Sequence, residues 1–342
     1  MSSLATLRRT VRALREYPIR ASGKRKSLEA CWQVPRGAAK LVPRYGLRMN
    51  ANVNAEMHAG KKAAPFLILA HHRSGSNFLN DLVQARPDVD CINEPFSMHT
   101  PFFRECDLEH WSGADFDPRW LHRSLVPHAQ LRCFLRELRR HLGESHAQRI
   151  VGFKETGLFG KLGWLKAFLP GLRVLWVQRD PRAIVSSVLR SGLMDFWRYR
   201  ELVPPRFEAL CPGYRRAPAG TRAHDAELVA MSVVVRLDMA QRSLGPFAHH
   251  TVRLDDFALD PRAGLQQLCR FLGLEAHPEQ LAFLRQRQGI TRGGRYSSFR
   301  SHHDVQDAWR RHLTEAQVAA VEAVLQACAG PRFDARQAGC AA

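Results

Sequence analysis

Two short segments of the chain carry the residue types that bind an anion. In the first, the apolar run Phe66–Ala70 is followed by a polar loop with Arg73 and Gly75, and an amphipathic segment begins at Ser76. This order predicts a strand, a tight loop and a helix N-terminus, whose backbone N–H groups have no partner within the helix and point at a ligand. The guanidinium of Arg73 suits phosphate or sulfate oxygens. The segment therefore predicts an anion-binding loop.

The second segment repeats this order of strand, turn and helix. An apolar strand ends at Gln178, Arg179 follows it, and Pro181 begins an amphipathic helix. Ser187 lies about two helical turns beyond Arg179, so both side chains can face one space. A cation in the first turn, Arg182, opposes the helix dipole and predicts contact with a ligand anion. Ligands bind at the carboxyl ends of strands in open α/β sheets, so the two segments predict one ligand with two anionic groups.

Neither segment has the G-x-x-x-x-G-K-[ST] pattern of nucleoside triphosphatases. Together with two later blocks, residues 251–274 and 296–313, they resemble the sulfotransferases of the carbohydrate and tyrosyl-protein type. These enzymes use 3′-phosphoadenosine 5′-phosphosulfate (PAPS), which has two separated anionic groups. The resemblance covers about residues 64–330. It implies an α/β, P-loop-like three-layer fold with a central parallel sheet flanked by helices.

The resemblance also implies which residues bind the donor. The 5′-phosphosulfate is assigned to Arg73, Ser74, Gly75, Ser76, Asn77 and Phe78. The 3′-phosphate is assigned to Arg179 and Ser187. Apart from the resemblance, Arg295 in a later loop with Arg292 and Arg300 is a further candidate, and a solvated arginine-rich loop is the alternative. Leu254 stands where the family commonly has a tyrosine, which predicts that one nucleotide contact is absent. PAPS is thus the expected co-substrate.

Catalytic roles follow from the same resemblance and from the chemistry. Glu94 stands in the position of a general base, while Lys154 and Ser297 match residues that face the sulfuryl group. Sulfuryl transfer is an in-line displacement, so catalysis should depend on positioning and on charge stabilisation by Arg73 and Lys154. The acceptor hydroxyl is a poor nucleophile and needs a base within about 3 Å. The transferred group carries less charge than a phosphoryl group, so no metal is expected.

The overall charge predicts anionic partners. The chain has 342 residues and a formal net charge of +19. Such a charge favours anionic substrates, although an arginine-rich genome is an alternative cause. Basic residues are spread along the chain without a nucleic-acid-binding motif, so nucleic acid is not an expected partner.

Cysteine usage and apolar runs bear on the compartment. The eight cysteines have no metal-ligand spacing, and reduced thiols are the default for a chain of this size. The sequence has no apolar run long enough to span a bilayer and no secretory leader. These features predict a cytoplasmic protein.

The chain is predicted to divide into an extension and a catalytic domain. Residues 1–60 form a basic extension, in which residues 4–15 have the pattern of an amphipathic helix. That helix could contact the inner face of an anionic membrane, act as a transit-peptide-like leader, or pack on the domain. Residues 61–335 form the predicted sulfotransferase domain, with alternating strands and helices. Within it, the proline-rich residues 195–222 predict an insertion or lid.

The predicted function is sulfuryl transfer from PAPS to a hydroxyl-bearing acceptor, a carbohydrate or glycolipid. A sulfotransferase that acts on a tyrosine or small-molecule hydroxyl is one alternative. A non-catalytic module that binds an adenine nucleotide or a polyanion on the same fold is another. Glu94 and Lys154 discriminate between an enzyme and such a module, because a binder needs neither.

Overall fold

The structure, a computed structural model, describes residues 64–96, 128–145, 149–192, 194, 199–287 and 306–328. Within these ranges one sheet contains the strands β1 (Phe66–Ala70), β2 (Val89–Asn93), β3 (Ile150–Glu155), β4 (Arg173–Gln178) and β5 (Ala248–Arg253). Their order across the sheet is β2-β3-β1-β4-β5, and every neighbouring pair is parallel. The predicted parallel sheet is therefore confirmed.

The middle of the sheet is buried because the strands β1, β3 and β4 are mostly apolar on both sides. All five residues of β1, at its centre, are buried, as expected for a parallel strand covered on both faces. In β1, Ile68 is in register with Lys154 of β3 and with Leu175 of β4. Because the strands run the same way, the segments that follow them come together at one edge of the sheet.

Two layers of helices cover the sheet. The helices of the described residues are α1 (Ser76–Gln84), α2 (His128–Leu142), α3 (Leu162–Phe168), α4 (Pro181–Ser191), α5 (Tyr199–Leu210), α6 (Arg222–Ser243), α7 (Leu254–Leu259), α8 (Pro261–Leu272), α9 (Pro278–Arg287) and α10 (Glu315–Ala327), with short 3-10 helices at Phe159–Lys161 and Ala308–Arg311. One face packs on α2, α3 and α6, through residues such as Leu67 and Leu138. The opposite face packs on α1, α8 and α9, through residues such as Ile68 and Leu268. The three layers match the predicted fold class.

A further helical cluster lies beside these layers. Helices α4, α5, α6 and α10 bury apolar side chains together, among them Phe207, Val234 and Val321. The proline-rich segment expected to be an insertion or lid thus contains a packed helix, α5, with Pro204 and Pro205 inside it. Internal prolines remove backbone hydrogen bonds, so packing against α6 has to offset their cost.

A disulfide ties two helices of this cluster together. It joins Cys211, after α5, to Cys328, after α10. The expectation of reduced thiols is wrong for this pair, because α5 and α10 both pack on α6 and bring together residues 117 positions apart. Cys91 and Cys269 are free and buried.

Helix ends carry the local signals that the sequence predicts. Pro181 occupies the first turn of α4, and Thr314 with Gln317 forms the predicted capping box of α10. Helix α7 is too short to show a periodic pattern in the sequence. The predicted amphipathic helix at residues 4–15 lies outside the described residues. No helix in the described part of the chain is both long and apolar enough to cross a membrane.

Candidate active site

The loop after β1 turns sharply at the edge of the sheet. Arg73 and Gly75 have positive φ angles of 67° and 90°. A side chain at position 75 would collide with Leu254, which lies against the loop, so glycine is needed there. The N–H and the hydroxyl of Ser74 both donate to the His71 carbonyl, at 3.2 and 2.8 Å, and close the turn. The loop therefore has the compact form that an anion-binding turn requires.

A buried hydrogen-bond network supports this loop from behind. His71 Nδ1 donates to the His72 carbonyl at 2.7 Å, so Nε2 accepts from the Ser232 hydroxyl at 3.1 Å. Ser232 in turn accepts a hydrogen bond from Arg236, whose side chain is also buried. Burial, and then the charge of Arg236, lower the pKa of His71 to about 3. His71 is therefore neutral at physiological pH and holds the loop through neutral hydrogen bonds.

The turn after β4 brings a second arginine to the same edge. Asp180 caps α4, and its own N–H donates to Asp255 at 2.8 Å. Arg179 donates from Nη1 to the Arg73 carbonyl at 3.1 Å. Ser187, on α4, accepts from Arg73 Nε at 3.0 Å. The structure thus brings together Arg73, Arg179 and Ser187, which are the residues predicted for the two anionic groups of the donor.

Arg182, in the same turn as Arg179, is held by structural contacts. It pairs with Asp180 at 2.9 Å and with Glu322 at 3.2 Å, and its guanidinium lies 4.7 Å from the centre of the Trp309 ring. These contacts occupy the guanidinium group and join α4 to α10, which argues against the expected contact with a ligand anion. The Asp180 carboxylate at the N-cap offsets the unfavourable interaction of Arg182 with the helix dipole, so a cation in this turn does not require a ligand.

A carboxylate–ammonium pair lies at the ends of β2 and β3. Glu94 follows β2 with a positive φ of 45°, and its N–H donates to the Lys154 carbonyl at 2.8 Å. The Lys154 ammonium donates to Glu94 Oε1 at 2.9 Å and to Asn77 Oδ1 at 2.7 Å. The Lys154 side chain is only 2% exposed, against 19% for Glu94. Glu94, Lys154 and Asn77 therefore form one array that reaches from the end of β2 to the first turn of α1.

Sequence reasoning missed Thr156, which belongs to the same array. Its side chain is buried, and its hydroxyl donates to Glu94 Oε1 at 3.2 Å. Side chains two positions apart along a strand point to the same side. The spacing of Thr156 from Lys154 therefore indicates in the sequence that both side chains face the site. Glu155, between them, points the other way and accepts the Phe96 N–H at 2.6 Å. This bond fixes the turn that follows Glu94.

The remaining predicted site residues lie in different places. Ser76 is buried at the first position of α1. Phe78 packs edge-on against Phe257, with ring centres 5.6 Å apart, so its side chain joins the apolar core and only its backbone could face an anion. Ser297 and Arg295 lie outside the described residues. Among the residues that the structure does describe, no group of His, Cys, Asp and Glu side chains could hold a metal ion.

A parallel sheet with an anion-binding turn and a carboxylate–ammonium pair at one edge is typical of group-transfer enzymes that use an anionic donor. The chain belongs to the sulfotransferase family, because the model of that family matches residues 65–279, well over half of the chain. The protein is thus a sulfotransferase, which confirms the predicted class of enzyme. Membership of the family implies a sulfate donor such as PAPS. No curated protein sequence matches the chain.

Several solved sulfotransferase structures are similar to the chain. The sulfotransferase domain of the Synechococcus olefin synthase is 16% identical, with 79% of this chain and 98% of that chain covered and a TM-score of 0.42. A sulfotransferase from Mycobacterium tuberculosis is 15% identical, with 96% and 91% covered and a TM-score of 0.43. One from Alicyclobacillus acidocaldarius is 16% identical, with 78% and 95% covered and a TM-score of 0.38.

Proposed function

We propose that the protein transfers a sulfuryl group from PAPS to a hydroxyl group of a glycan or glycolipid. The observation that carries the proposal is the array of Asn77, Lys154 and Glu94, joined by hydrogen bonds of 2.7 and 2.9 Å. It connects the helix after the anion-binding loop to a cation and a carboxylate, the groups needed for charge stabilisation and proton removal. A protein that only binds a nucleotide needs neither this cation nor this carboxylate.

The donor is proposed to bind across the turns after β1 and β4. Backbone N–H groups of the loop and of the first turn of α1 would hold the 5′-phosphosulfate, since they point out of the helix end. Arg179 and Ser187 would hold the 3′-phosphate. Arg73 bonds Ser187 at 3.0 Å, and its carbonyl accepts from Arg179 at 3.1 Å, so Arg73 would lie within reach of both anionic groups.

The proposed reaction is an in-line displacement at sulfur. Glu94 would take the proton of the acceptor hydroxyl as the hydroxyl oxygen forms a bond to sulfur. The bond between sulfur and the 5′-phosphate oxygen breaks, and that oxygen keeps the electron pair. Lys154 and Arg73 would stabilise the negative charge on the leaving oxygen and on the sulfuryl oxygens. The products are a sulfate ester, adenosine 3′,5′-bisphosphate and a proton held on Glu94.

The proposed acceptor class rests on two properties of the chain. The sequence blocks resemble sulfotransferases of the carbohydrate and tyrosyl-protein type, a group that includes enzymes acting on a sugar hydroxyl. A net charge of +19 favours an anionic acceptor, which acidic glycans and acidic glycolipids supply. Tyrosine and small-molecule hydroxyls are the competing acceptors.

Transfer of radiolabelled sulfate tests the donor and the acceptor together. The full chain is incubated with labelled PAPS and with separate pools of glycans, glycolipids, tyrosine peptides and phenols. Label in the glycan or glycolipid pool, absent with a Glu94→Gln variant, supports the proposal. Label confined to peptides or phenols overturns the acceptor class. Failure of adenosine 3′,5′-bisphosphate to bind in calorimetry overturns the donor.

The proposed compartment is the cytoplasm, with residues 4–15 as a peripheral contact to an anionic membrane. The Cys211–Cys328 disulfide is more typical of an oxidising compartment and opposes this proposal. Counting the free thiols of protein alkylated directly in its host decides the matter. Alkylated Cys211 and Cys328 support the cytoplasm, whereas an intact disulfide contradicts it.

A further inference from the structure

We propose that Thr156 is a positioning residue for sulfuryl transfer and acts by holding the carboxylate of Glu94. The proposal rests on the proposed role of Glu94 as the general base. Thr156 directly follows β3, is 4% exposed, and donates from Oγ1 to Glu94 Oε1 at 3.2 Å. Its hydroxyl thus points at the group that would take the proton.

Glu94 is held by β3 at several points. Its N–H donates to the Lys154 carbonyl, while the Lys154 ammonium and the Thr156 hydroxyl both donate to Oε1. The positive φ of Glu94, 45°, is unfavourable for a residue with a side chain and persists only where the surroundings fix it. These hydrogen bonds therefore keep the carboxylate at the edge of the sheet.

Two donors reach the same oxygen of the Glu94 carboxylate. A carboxylate oxygen has two lone pairs. Those of Oε1 accept from Lys154 and from Thr156. Thr156 thus sets the rotation of the carboxylate as well as its position.

Thr156 becomes more important when Lys154 acts on the donor. An ammonium group has three N–H donors, and two of those of Lys154 serve Asn77 and Glu94. Negative charge on the sulfuryl oxygens would draw the ammonium away from Glu94. The Thr156 hydroxyl would then keep Oε1 in place, and because it is neutral it does not compete for that charge.

Steady-state kinetics of Thr156→Val and Thr156→Ser test the proposal. Valine keeps the shape of the side chain and removes the hydroxyl, whereas serine keeps the hydroxyl. We expect Thr156→Val to lower kcat about tenfold, because a hydrogen bond to a charged group is lost. The KM for PAPS should stay unchanged. The acidic limb of the pH profile should move to higher pH, because the lost donor favoured the charged carboxylate. Thr156→Ser should keep kcat within about twofold of wild type.

Combination with Glu94→Gln separates positioning from a structural role. In that background Thr156→Val should cause no further loss, since it acts through the carboxylate. An equal loss in both backgrounds, or an unchanged kcat and pH profile in Thr156→Val, overturns the proposal. Thr156→Ala replaces Thr156→Val if the latter fails to fold, as judged by its melting temperature. Near-normal turnover of Glu94→Gln alone overturns the proposed function instead.

Discussion

The two halves of the candidate active site are held in different ways. In the β1–β4 half, formed by Arg73, Arg179 and Ser187, the guanidinium groups donate to the Ser187 hydroxyl and the Arg73 carbonyl, and Arg179 also interacts electrostatically with Asp255. In the β2–β3 half, formed by Glu94, Lys154 and Thr156, the cation is paired with a carboxylate. Phosphate oxygens are stronger acceptors than neutral oxygens. The first half is therefore suited to binding an anion, and the second to moving a proton and charge.

The largest effect is expected from a change confined to the β2–β3 half. Glu94→Gln removes the proposed base while keeping the size of the side chain. We expect kcat to fall about 10²–10⁴-fold, while the calorimetric affinity for adenosine 3′,5′-bisphosphate stays the same. Glu279→Gln, the same change at an exposed position on α9, is the control and should keep full turnover. Near-normal turnover of Glu94→Gln would remove the assignment of the base.

Loss of Arg179 tests the β1–β4 half. Arg179→Ala removes a charged donor to the proposed 3′-phosphate, so calorimetric affinity for adenosine 3′,5′-bisphosphate should fall about 10- to 100-fold. Arg182→Ala is the matched control from the same turn. Because Arg182 is held by Asp180 and Glu322, its loss should lower the melting temperature and leave the affinity unchanged. Equal losses of affinity would show that overall charge, and not position, governs binding.

The network behind the β1 loop predicts a pH dependence of stability. Burial lowers the pKa of His71 from 6.5 to about 3 in the folded protein. Between these values the unfolded chain takes up a proton that the folded protein does not. The free energy of unfolding should therefore fall as the pH falls, by up to about 1.4 kcal/mol per pH unit from this group. Above the unfolded pKa the contribution of His71 is fully present.

Urea unfolding at a series of pH values measures this slope. His71→Gln removes the titrating group and keeps a hydrogen-bond donor and acceptor, so stability should depend less steeply on pH. His249→Gln, at an exposed position, is the control and should keep the slope of the wild type. The same slope in His71→Gln as in the wild type would contradict a neutral, buried His71.

The smallest effect is expected from the loss of the Ser187 hydroxyl in the β1–β4 half. Ser187→Ala removes one neutral hydrogen bond to the proposed 3′-phosphate, so affinity for the bisphosphate should fall about threefold to tenfold. Ser186→Ala is the control, because Ser186 is the neighbouring serine on α4 and its side chain is buried. Identical affinities for the two variants would take Ser187 out of the donor site.

Most of the described fold could be predicted because its signals are local. The apolar run of β1 and the cap residues Pro181 and Thr314 act over a few residues each. Helix α5 could not be predicted, since Pro204 and Pro205 argue against a helix. The packing of residues such as Phe207 in the helical cluster stabilises it. Tertiary packing there overrides the local preference.

The candidate site shows the same difference between local signals and tertiary contacts. Glu94 and Lys154 lie near the carboxyl ends of two strands, so the predicted parallel sheet places them on the same side of it. Their direct contact depends on the pairing of β2 with β3, which the sequence does not reveal. The structural role of Arg182 could not be predicted, because it depends on Glu322, 140 residues away. The roles of Ser297 and Arg295 stay predictions.

The Cys211–Cys328 bond has a topological consequence. It closes a covalent ring of backbone that contains α6, the edge strand β5 and every later helix up to α10. A protease that cuts once inside this ring opens it without releasing a fragment. A nicked protein should therefore keep its full mass on a non-reducing gel and separate into two pieces only after reduction. Strand β5 therefore stays covalently tethered to the rest of the enzyme even when the backbone within the ring is cut.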